Sequence, residues 1–294
     1  MSIFHSLIGS SRRASAPSLD VQRLVRQMCY ELVPIKSVDQ AIADLPEGAS
    51  VSVTCSPVKG LAATLELCVR LIHRGHSVTP HLASRLVEGP EHTAKLAGWV
   101  KQHGVKEVLI IGGDSERSHH YTDALSFMRD FLSHESDVQT IGFAAYPDGH
   151  ALIETAKLHE SLLAKQELLA NAGVQGSAST QMCFDSDKIL AWLSGERQSG
   201  FTVPVSLGLP GVVDRTKLIT MGMRLGVGAS MRYLNKNRGS ITRMFAPGGY
   251  DPTMLLINLA PHADQLGIVG IHSFTFNNIA DTARWQQAIL KTRS

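Results

Sequence analysis

Short apolar stretches alternate with helix-forming stretches along the chain, at intervals of about thirty residues, and this pattern restricts the fold most. Strict alternation of strands and helices favours a parallel sheet, and eight such units favour closure into an α/β barrel, the (β/α)8 or TIM type. The predicted strands are 28–33, 49–54, 76–81, 106–111, 140–145, 177–182, 201–207 and 267–274. The predicted helices are 18–26, 38–45, 60–74, 91–103, 123–132, 153–172, 186–193, 214–225, 231–245 and 252–262.

An open, doubly wound sheet is the alternative architecture for this pattern. A dinucleotide-binding sheet of that kind would carry G-x-G-x-x-G after its first strand, and the chain lacks that sequence there. The 294 residues suffice for one barrel or two ordinary domains. Because glycine and proline are spread among the loops, no linker divides the chain. We therefore predict a single barrel domain over 17–294, preceded by a small, polar, flexible segment at 1–16.

The composition argues against several classes of function. The net charge is +2 with both signs dispersed, so nothing predicts binding to nucleic acid or to an anionic membrane. No stretch is long and apolar enough to span a bilayer, and a cytoplasmic location is expected. The four cysteines are scattered and the thirteen histidines lack zinc-ligand spacing, so we expect reduced thiols and no metal.

Polar side chains lie at or just after the ends of successive predicted strands. In a barrel these ends meet on one face, where TIM-barrel enzymes have their active sites. Any one of these residues could be a packing or capping residue, but six in register predict a common site. They are Glu31, Thr54, His81, Asp114, Tyr146 and Gln181.

The chemistry of this set is coherent. Glu31 lies within an apolar strand, and a buried carboxylate must be partnered, protonated or facing a polar cavity, so Glu31 is a candidate proton donor. Asp114 and Gln181 offer planar hydrogen bonding, and Tyr146 offers a flat face. The chain shows no nucleophile–base pair, metal triad or phosphate-binding loop. A flat heteroaromatic ligand with redox or proton-transfer chemistry is therefore favoured over hydrolysis.

A series of ordered motifs is more specific. They are YELVP at 30–34, VSVT at 51–54, PHL at 80–82, GGD at 112–114, AAYP-x-x-H at 144–150, TQ-x-x-FD at 180–185, GLP at 208–210 and H-x-x-T-x-N at 272–277. In this order they resemble the methylenetetrahydrofolate reductase family, the flavin-containing barrels of one-carbon metabolism. The resemblance runs through most of the chain.

The resemblance implies that a hydride passes from NAD(P)H to FAD and then to methylenetetrahydrofolate, giving 5-methyltetrahydrofolate. It implies that Glu31 protonates the pterin N5 and that Asp114 binds the pterin and modulates the flavin. A tetrahydrofolate derivative is the implied partner, and a homo-oligomer is compatible with it. The implied substrate contacts are Gln181, Tyr146, Phe274 and Leu209. The implied flavin contacts are Thr54, His81, Gly112, Gly113, Tyr121, Ala144, Tyr146, His150 and Lys165.

The sequence departs from the family at cationic contacts to both ligands. The family's arginine before GD is Gly112 here, which removes a flavin contact, and the arginine after the final-strand asparagine is Asn278, which removes a partner for the substrate's glutamate tail. The charged and polar set on the helix after Tyr146 is largely lost, with Lys165 the candidate survivor; its replacements are Leu162, Leu163, Ala164 and Gln166. Basic residues that could supply this charge, or form a solvated helix face, are Arg232, Lys236, Arg238 and Arg243. Weak retention of FAD is therefore expected.

Three functions remain open at this point. The first is a flavin-dependent methylenetetrahydrofolate reductase. The second is a reductase without tight FAD, in which the nicotinamide gives its hydride directly. The third is a folate-binding barrel that serves as a carrier or regulatory subunit. The joint presence of Glu31, Asp114 and Gln181 argues against the third, because binding alone does not require an acid in an apolar strand.

Overall fold

Eight parallel strands close into a barrel, as the alternation of strands and helices predicts. The order around the barrel is β1-β10-β7-β6-β5-β4-β3-β2, which excludes the open sheet. The computed structural model describes residues 18–55, 58–115, 120–214, 216–218, 220, 245–246 and 249–292. The barrel strands are β1 Met28–Leu32, β2 Ser50–Val53, β3 Ser77–Ala83, β4 Glu107–Ile111, β5 Thr140–Ala145, β6 Gln175–Thr180, β7 Val205–Pro210 and β10 Ile268–Phe274. A small antiparallel pair consists of β8 Phe245–Ala246 and β9 Gly249–Tyr250.

Helices connect the strands on the outside of the barrel. Side-chain oxygens at the first residue of a helix accept its free backbone N–H groups: Asp123 Oδ1 accepts from Ser126 N at 2.8 Å, and Asp185 Oδ1 accepts from Asp187 N at 3.1 Å. The helices are α1 Leu19–Arg26, α2 Val38–Ala43, α3 Gly60–Ile72, α4 Pro90–Gln102, α5 Ala124–Phe131, α6 Thr155–Ala172, α7 Ser186–Gln198, α8 Thr253–Leu259, α9 Ala263–Leu266 and α10 Ile279–Lys291. Among the described residues no helix is long and apolar enough to cross a membrane.

The main hydrophobic core lies between the barrel wall and these helices. In β5, Ile141, Phe143 and Ala145 are fully buried in this layer, while Gly142 and Ala144 face the barrel interior. Each fully buried aliphatic or aromatic side chain stabilises the fold by about 1.5–3 kcal/mol. The outer layer therefore holds the strands in place, and the interior positions are left for other uses.

Several element boundaries differ from the predictions; β6 spans Gln175–Thr180 instead of 177–182, and α7 continues to Gln198 instead of ending at residue 193. β3 continues to Ala83, so the prediction that this strand ends on His81 is wrong. β7 begins at Val205 instead of residue 201 and includes Pro210, because Phe201 packs in the loop before the strand. Helix α10 was not predicted, although its buried Ile279, Ala283 and Ile289 form an apolar face. Residues 1–16, residues 231–244 of the predicted helix at 231–245 and most of the predicted helix at 214–225 lie outside the described residues, and Phe245 belongs to strand β8.

Candidate active site at the C-terminal mouth

Glu31 lies near the C-terminal end of β1 with its carboxyl group inside the barrel. Only 7% of the residue is exposed, and Oε2 lies 3.0 Å from Nε2 of His272 on β10. On the neighbouring strands Glu31 is in register with Phe274 and Ser52. The buried Glu31 carboxyl group is therefore hydrogen-bonded to His272 beside the C-terminal mouth. The C-terminal mouth is the opening formed by the C-terminal ends of the barrel strands and the loops that follow them.

The H-x-x-T-x-N motif fixes the backbone around Glu31. Thr275 Oγ1 donates to the Glu31 carbonyl oxygen at 2.5 Å. The Asn277 side-chain amide binds both backbone groups of Val33: Oδ1 accepts from Val33 N and Nδ2 donates to Val33 O, each at 2.9 Å. Phe276 and Asn277 have positive φ angles of 49° and 62°, which are unfavourable for residues other than glycine. The H-x-x-T-x-N motif therefore contains locally strained backbone, and its side chains hold the end of β1 in one position.

His81 lies inside the barrel next to this pair, not at the end of its strand. It is 4% exposed, and its Nε2 is hydrogen-bonded to Ser52 Oγ. Its ring centroid lies 5.8 Å from that of His272. Burial, together with the neighbouring His272, lowers the pKa of His81 well below its ordinary value, so the ring is neutral at physiological pH.

Two imidazoles and a carboxylate are a known ligand set for zinc or iron. The ligand atoms of Glu31, His81 and His272 all lie within 4.8 Å of one another. These groups already have hydrogen-bond partners: Glu31 pairs with His272, and His81 pairs with Ser52. The absence of a bound metal remains a prediction.

The G-G-D turn after β4 brings Asp114 to the mouth. Gly113 has φ +84°, and a Cβ there would lie 2.8 Å from the Cβ of Ala83, so both conformation and space require glycine. Ser84 Oγ and Arg85 N each donate to the Gly112 carbonyl oxygen at 3.1 Å and fix the turn.

Tyr146 and His150 form an aromatic pair on the other side of this turn. Gly149, with φ +76°, donates its N–H to the Tyr146 carbonyl oxygen at 3.0 Å and folds the chain back. The two rings meet edge-on with centroids 5.1 Å apart. Burial raises the pKa of Tyr146, and the Asp114 carboxylate adds to this increase. The G-G-D and A-A-Y-P motifs therefore lie side by side at the mouth, at the ends of the adjacent strands β4 and β5.

The other predicted residues at the mouth occupy interior strand positions or strand ends. Gln181 follows β6, and its Oε1 accepts from Met182 N at 2.8 Å, which orients the amide. Phe274 stands edge-on to His272 with ring centroids 5.2 Å apart. Thr54 follows β2, and Ala144 faces inward on β5.

Cys55 was missed by the sequence reasoning although it belongs to the mouth. Burial raises the pKa of this thiol to about 12, and the carboxylates of Asp114 and Glu31 both contribute, so the thiol lies within reach of both groups. The available signal was its position directly after Thr54, at the end of a predicted strand.

Three predicted contacts are not at the mouth. Leu209 points outward into the helix layer and is 1% exposed, because side chains alternate along β7 and Gly208 and Pro210 take the interior positions. The Tyr121 hydroxyl is hydrogen-bonded to Thr93 Oγ1 at 2.8 Å and to Asp130 in the helix layer. The predictions of ligand contact for Leu209 and Tyr121 are wrong for this reason.

Lys165 is the third predicted contact that does not lie at the mouth. It lies ten residues along α6, about 15 Å from the start of that helix. Its Nζ stands 5.4 Å from the centroid of the Phe143 ring, which belongs to the outer core. Burial lowers the pKa of Lys165 to about 8. It packs behind the barrel wall and is not positioned to bind a pyrophosphate at the mouth.

The fold and this site define a TIM-barrel protein with a buried carboxyl group and an aromatic pair at the C-terminal mouth. The family model described as methylenetetrahydrofolate reductase matches residues 38–221, more than half of the chain. The chain belongs to the methylenetetrahydrofolate reductase family, a family of folate-related reductases.

One solved structure matches the chain at low similarity. It is that of a protein provisionally described as a phosphonomutase from Burkholderia cenocepacia J2315. The identity is 13%, the TM-score is 0.43, and the match covers 76% of this chain and 96% of that one.

Proposed function

We propose that the protein reduces 5,10-methylenetetrahydrofolate to 5-methyltetrahydrofolate with a hydride from NAD(P)H, and that Glu31 supplies the proton. The observation that carries this proposal is the Glu31 carboxyl group, buried in β1 and bound to His272, with its backbone fixed by Thr275. The family membership supports the reaction class. General acid catalysis requires such a group at a fixed position beside the substrate.

Each group at the mouth has a role in this reaction. Asp114 accepts hydrogen bonds from the amino and ring N–H groups of the pterin, for which a carboxylate is well suited. Gln181 donates a hydrogen bond to the folate, and Phe274 packs against it. Glu31 supplies the proton for opening of the methylene bridge: the bond between the bridge carbon and N10 breaks, the proton ends on N10, and the carbon that stays on N5 receives the hydride. One hydride and one proton are consumed in each turnover.

The described residues fit the flat ring of a flavin better than its pyrophosphate. Thr54, Gly113, Ala144, Tyr146 and His150 offer small and aromatic surfaces at the mouth. FAD, when bound there, accepts the nicotinamide hydride and passes it on. Gly112 provides no charge and Lys165 lies behind the wall. We therefore propose weak FAD retention, with direct hydride transfer from the nicotinamide as the alternative. The basic residues at 232–243 lie outside the described residues.

The proposal is tested with the purified full chain. Oxidation of NADH and of NADPH is followed with and without methylenetetrahydrofolate, the folate product is identified by mass spectrometry, and the absorption spectrum is recorded. We expect folate-dependent oxidation and 5-methyltetrahydrofolate. A flavin absorption band would assign the flavin-dependent route, and colourless active protein the direct one. Tight folate binding without any nicotinamide oxidation would replace the proposal by a folate-binding, non-catalytic barrel.

A further inference from the structure

The interior of the barrel is lined by hydroxyl groups instead of large apolar side chains. In TIM barrels the interior is ordinarily filled by layers of valine, isoleucine and leucine. Here the residues at the inward positions leave a cavity of about 470 Å³. Its hydroxyl-bearing lining residues are Ser50, Ser52, Ser77, Thr79, Ser177, Ser179 and Ser206.

This cavity opens at the N-terminal face, opposite the ligand site. Its rim includes Arg23 and Gln27 at the end of α1, and Val269, which is 43% exposed. Ser50 and Ser77, the first residues of their strands, are exposed. Deeper residues are progressively buried: Thr79 and Ser177 are half-buried, Ser52 is 1% exposed and His272 is 5% exposed. Solvent thus reaches into the barrel from below and stops at His272.

The lining can hold a chain of water molecules. Hydroxyl groups both donate and accept hydrogen bonds, and a polar cavity of this size is hydrated. Ser177 Oγ donates to Glu107 Oε1 at 2.8 Å, so a carboxylate stands among the hydroxyls. Burial raises the pKa of the Cys29 thiol, and both Glu107 and Glu31 add to this increase. Cys29 therefore lies within reach of the carboxylate of the cavity and the proposed acid.

His272 joins the two compartments. It lines the inner end of the cavity, and its Nε2 lies 3.0 Å from Glu31 Oε2. An imidazole can take up a proton at one ring nitrogen while it releases one from the other. Glu31 is in register with Phe274 at the mouth, on the side where the ligands bind. The order from solvent to substrate is therefore cavity, His272, Glu31, pterin.

We propose that this hydroxyl-lined passage carries the proton that Glu31 delivers, and that His272 transfers it from the passage to Glu31; the proposal rests on the reductase function. In each turnover Glu31 gives its proton to the folate, where it ends on N10 as the methylene bridge opens. His272 then releases a proton from Nε2 to the Glu31 carboxylate and takes one from water in the passage. Solvent at the N-terminal face replaces that proton, and NAD(P)H supplies the hydride. Glu31 is thus reprotonated while ligands cover the mouth.

A leucine at residue 206 would obstruct the passage below His272. On β7 the interior residues Ser206 and Gly208 are in register with Gly270 and His272 of β10, so residue 206 lies one layer below His272. For Ser206→Leu we expect kcat to fall about tenfold or more, because reprotonation of Glu31 becomes limiting, with KM for the folate unchanged. The solvent deuterium isotope effect on kcat should rise. Ser199→Leu, on the exposed end of α7, is the matched control.

A double-mutant cycle of Ser206→Leu and His272→Gln distinguishes proton transfer through His272 from a structural role of this residue. Glutamine can hydrogen-bond to Glu31 but cannot pass a proton between two nitrogens. If passage and His272 act in series, the double variant should be no slower than the slower single variant. Multiplied losses in the double variant would show that the two residues act independently and would overturn the proposal. A melting temperature for each variant excludes unfolding.

A measurement that needs no catalysis tests the passage itself. In protein labelled with ¹⁵N-histidine, the exchange of the His272 ring N–H with water is expected to slow about tenfold in Ser206→Leu. Unchanged exchange would overturn the passage, and slowed exchange with wild-type kcat would overturn its role in supplying Glu31. If the wild-type protein reduces no folate, the proposed function fails, and the exchange measurement alone decides whether the passage delivers protons to the His272–Glu31 pair.

Discussion

At the scale of single residues, the carboxyl group of Glu31 gives the sharpest prediction. Glu31→Gln preserves the shape of the side chain and a hydrogen bond to His272 but removes the transferable proton. Loss of a general acid lowers the rate of proton transfer about 10²-fold or more. We expect kcat for methylenetetrahydrofolate reduction to fall by that factor, with the folate dissociation constant and the melting temperature little changed.

Glu66→Gln, on the exposed face of α3, is the control for this substitution. Steady-state kinetics and equilibrium binding on both variants give the comparison. Folate reduction by Glu31→Gln at a near wild-type rate would remove Glu31 from the role of acid. A large loss of folate affinity instead of kcat would make Glu31 a binding residue.

Gly112 gives a second prediction at the scale of single residues, and this one is a gain in FAD affinity. A Cβ at Gly112 would meet no atom within 4 Å among the described residues, and the backbone there is not in the left-handed region, so a Cβ is accommodated without a clash or backbone strain. Gly112→Arg restores the cation that the family carries before GD. A charge-assisted hydrogen bond contributes about 1.5–3 kcal/mol, so FAD should bind roughly 10- to 100-fold more tightly.

Quenching of flavin fluorescence measures this affinity. Gly98→Arg, on the exposed face of α4 and equally uncrowded, is the matched control. An unchanged FAD dissociation constant in Gly112→Arg would show that the turn does not face the flavin phosphates.

The placement of a residue followed from the sequence where a motif also fixes the direction of the side chain; its role stays a prediction. Asp114 and Tyr146 follow turns whose glycines set the geometry, and the structure brings them together. Leu209 was assigned to the substrate from its motif, but the alternation along β7 turns it outward. Lys165 was assigned from its place after Tyr146, whereas its burial against Phe143 depends on the packing of α6 on the barrel wall.

At the scale of elements, the loop after β10 is the main constraint on the site. Asn277→Ala removes two hydrogen bonds to Val33 and places alanine at φ +62°. Each lost hydrogen bond contributes about 1 kcal/mol, and the left-handed backbone adds about 1 kcal/mol. We expect the free energy of unfolding to fall by about 2–3 kcal/mol and kcat to fall, because Glu31 is no longer held in place.

Asn278→Ala is the adjacent control, since its side chain makes two hydrogen bonds, to Val212 O and to Asp281, and neither of them is to Val33. Urea titrations and kcat on both variants are compared. A kcat loss in Asn278→Ala equal to that in Asn277→Ala would contradict a specific role for the H-x-x-T-x-N clamp on β1.

The elements were largely predictable because periodicity and helix ends are local signals. The hollow interior was present in the sequence too, as serines at every second position of β2 and at Ser177 and Ser179 of β6. Its meaning depended on knowing which face of each strand points inward, and that is decided by closure of the barrel. The start of β7 was missed because Phe201 is apolar enough to resemble a strand residue while it packs in a loop.

At the scale of the whole molecule, metal binding by Glu31 and proton donation by Glu31 exclude one another. Glu31 cannot donate a proton while it binds an ion together with His81 and His272. We expect dialysis against a chelator to leave activity unchanged, and added zinc to inhibit by occupying the cluster. Activity lost on chelation and restored by a metal would instead make the cluster a catalytic metal centre. Elemental analysis of the purified protein accompanies the assay.

The pH dependence of global stability should carry the signature of Lys165. Burial lowers its pKa from 10.5 in the unfolded chain to about 8 in the folded one, although Asp123 acts in the opposite direction. Between these values the unfolded chain binds more protons, so this group makes stability rise with pH from about 8 to 10.5. Below pH 8 the full destabilisation by the buried charge is present. Lys165→Met removes the charge and keeps the volume, but it also loses the contact of the ammonium with the Phe143 ring.

We expect Lys165→Met to unfold with a free energy about 1–3 kcal/mol higher than wild type at pH 7, and this gain to vanish by about pH 10.5. Urea titrations of both proteins at the two pH values give the difference directly, since other titrating groups cancel between them. Lys95→Met, exposed on α4, should show no such change with pH. A Lys165→Met variant less stable than wild type at pH 7 would mean that the buried ammonium is stabilised by a partner in the helix layer. The increase in stability above pH 8 would then be absent from the wild type as well.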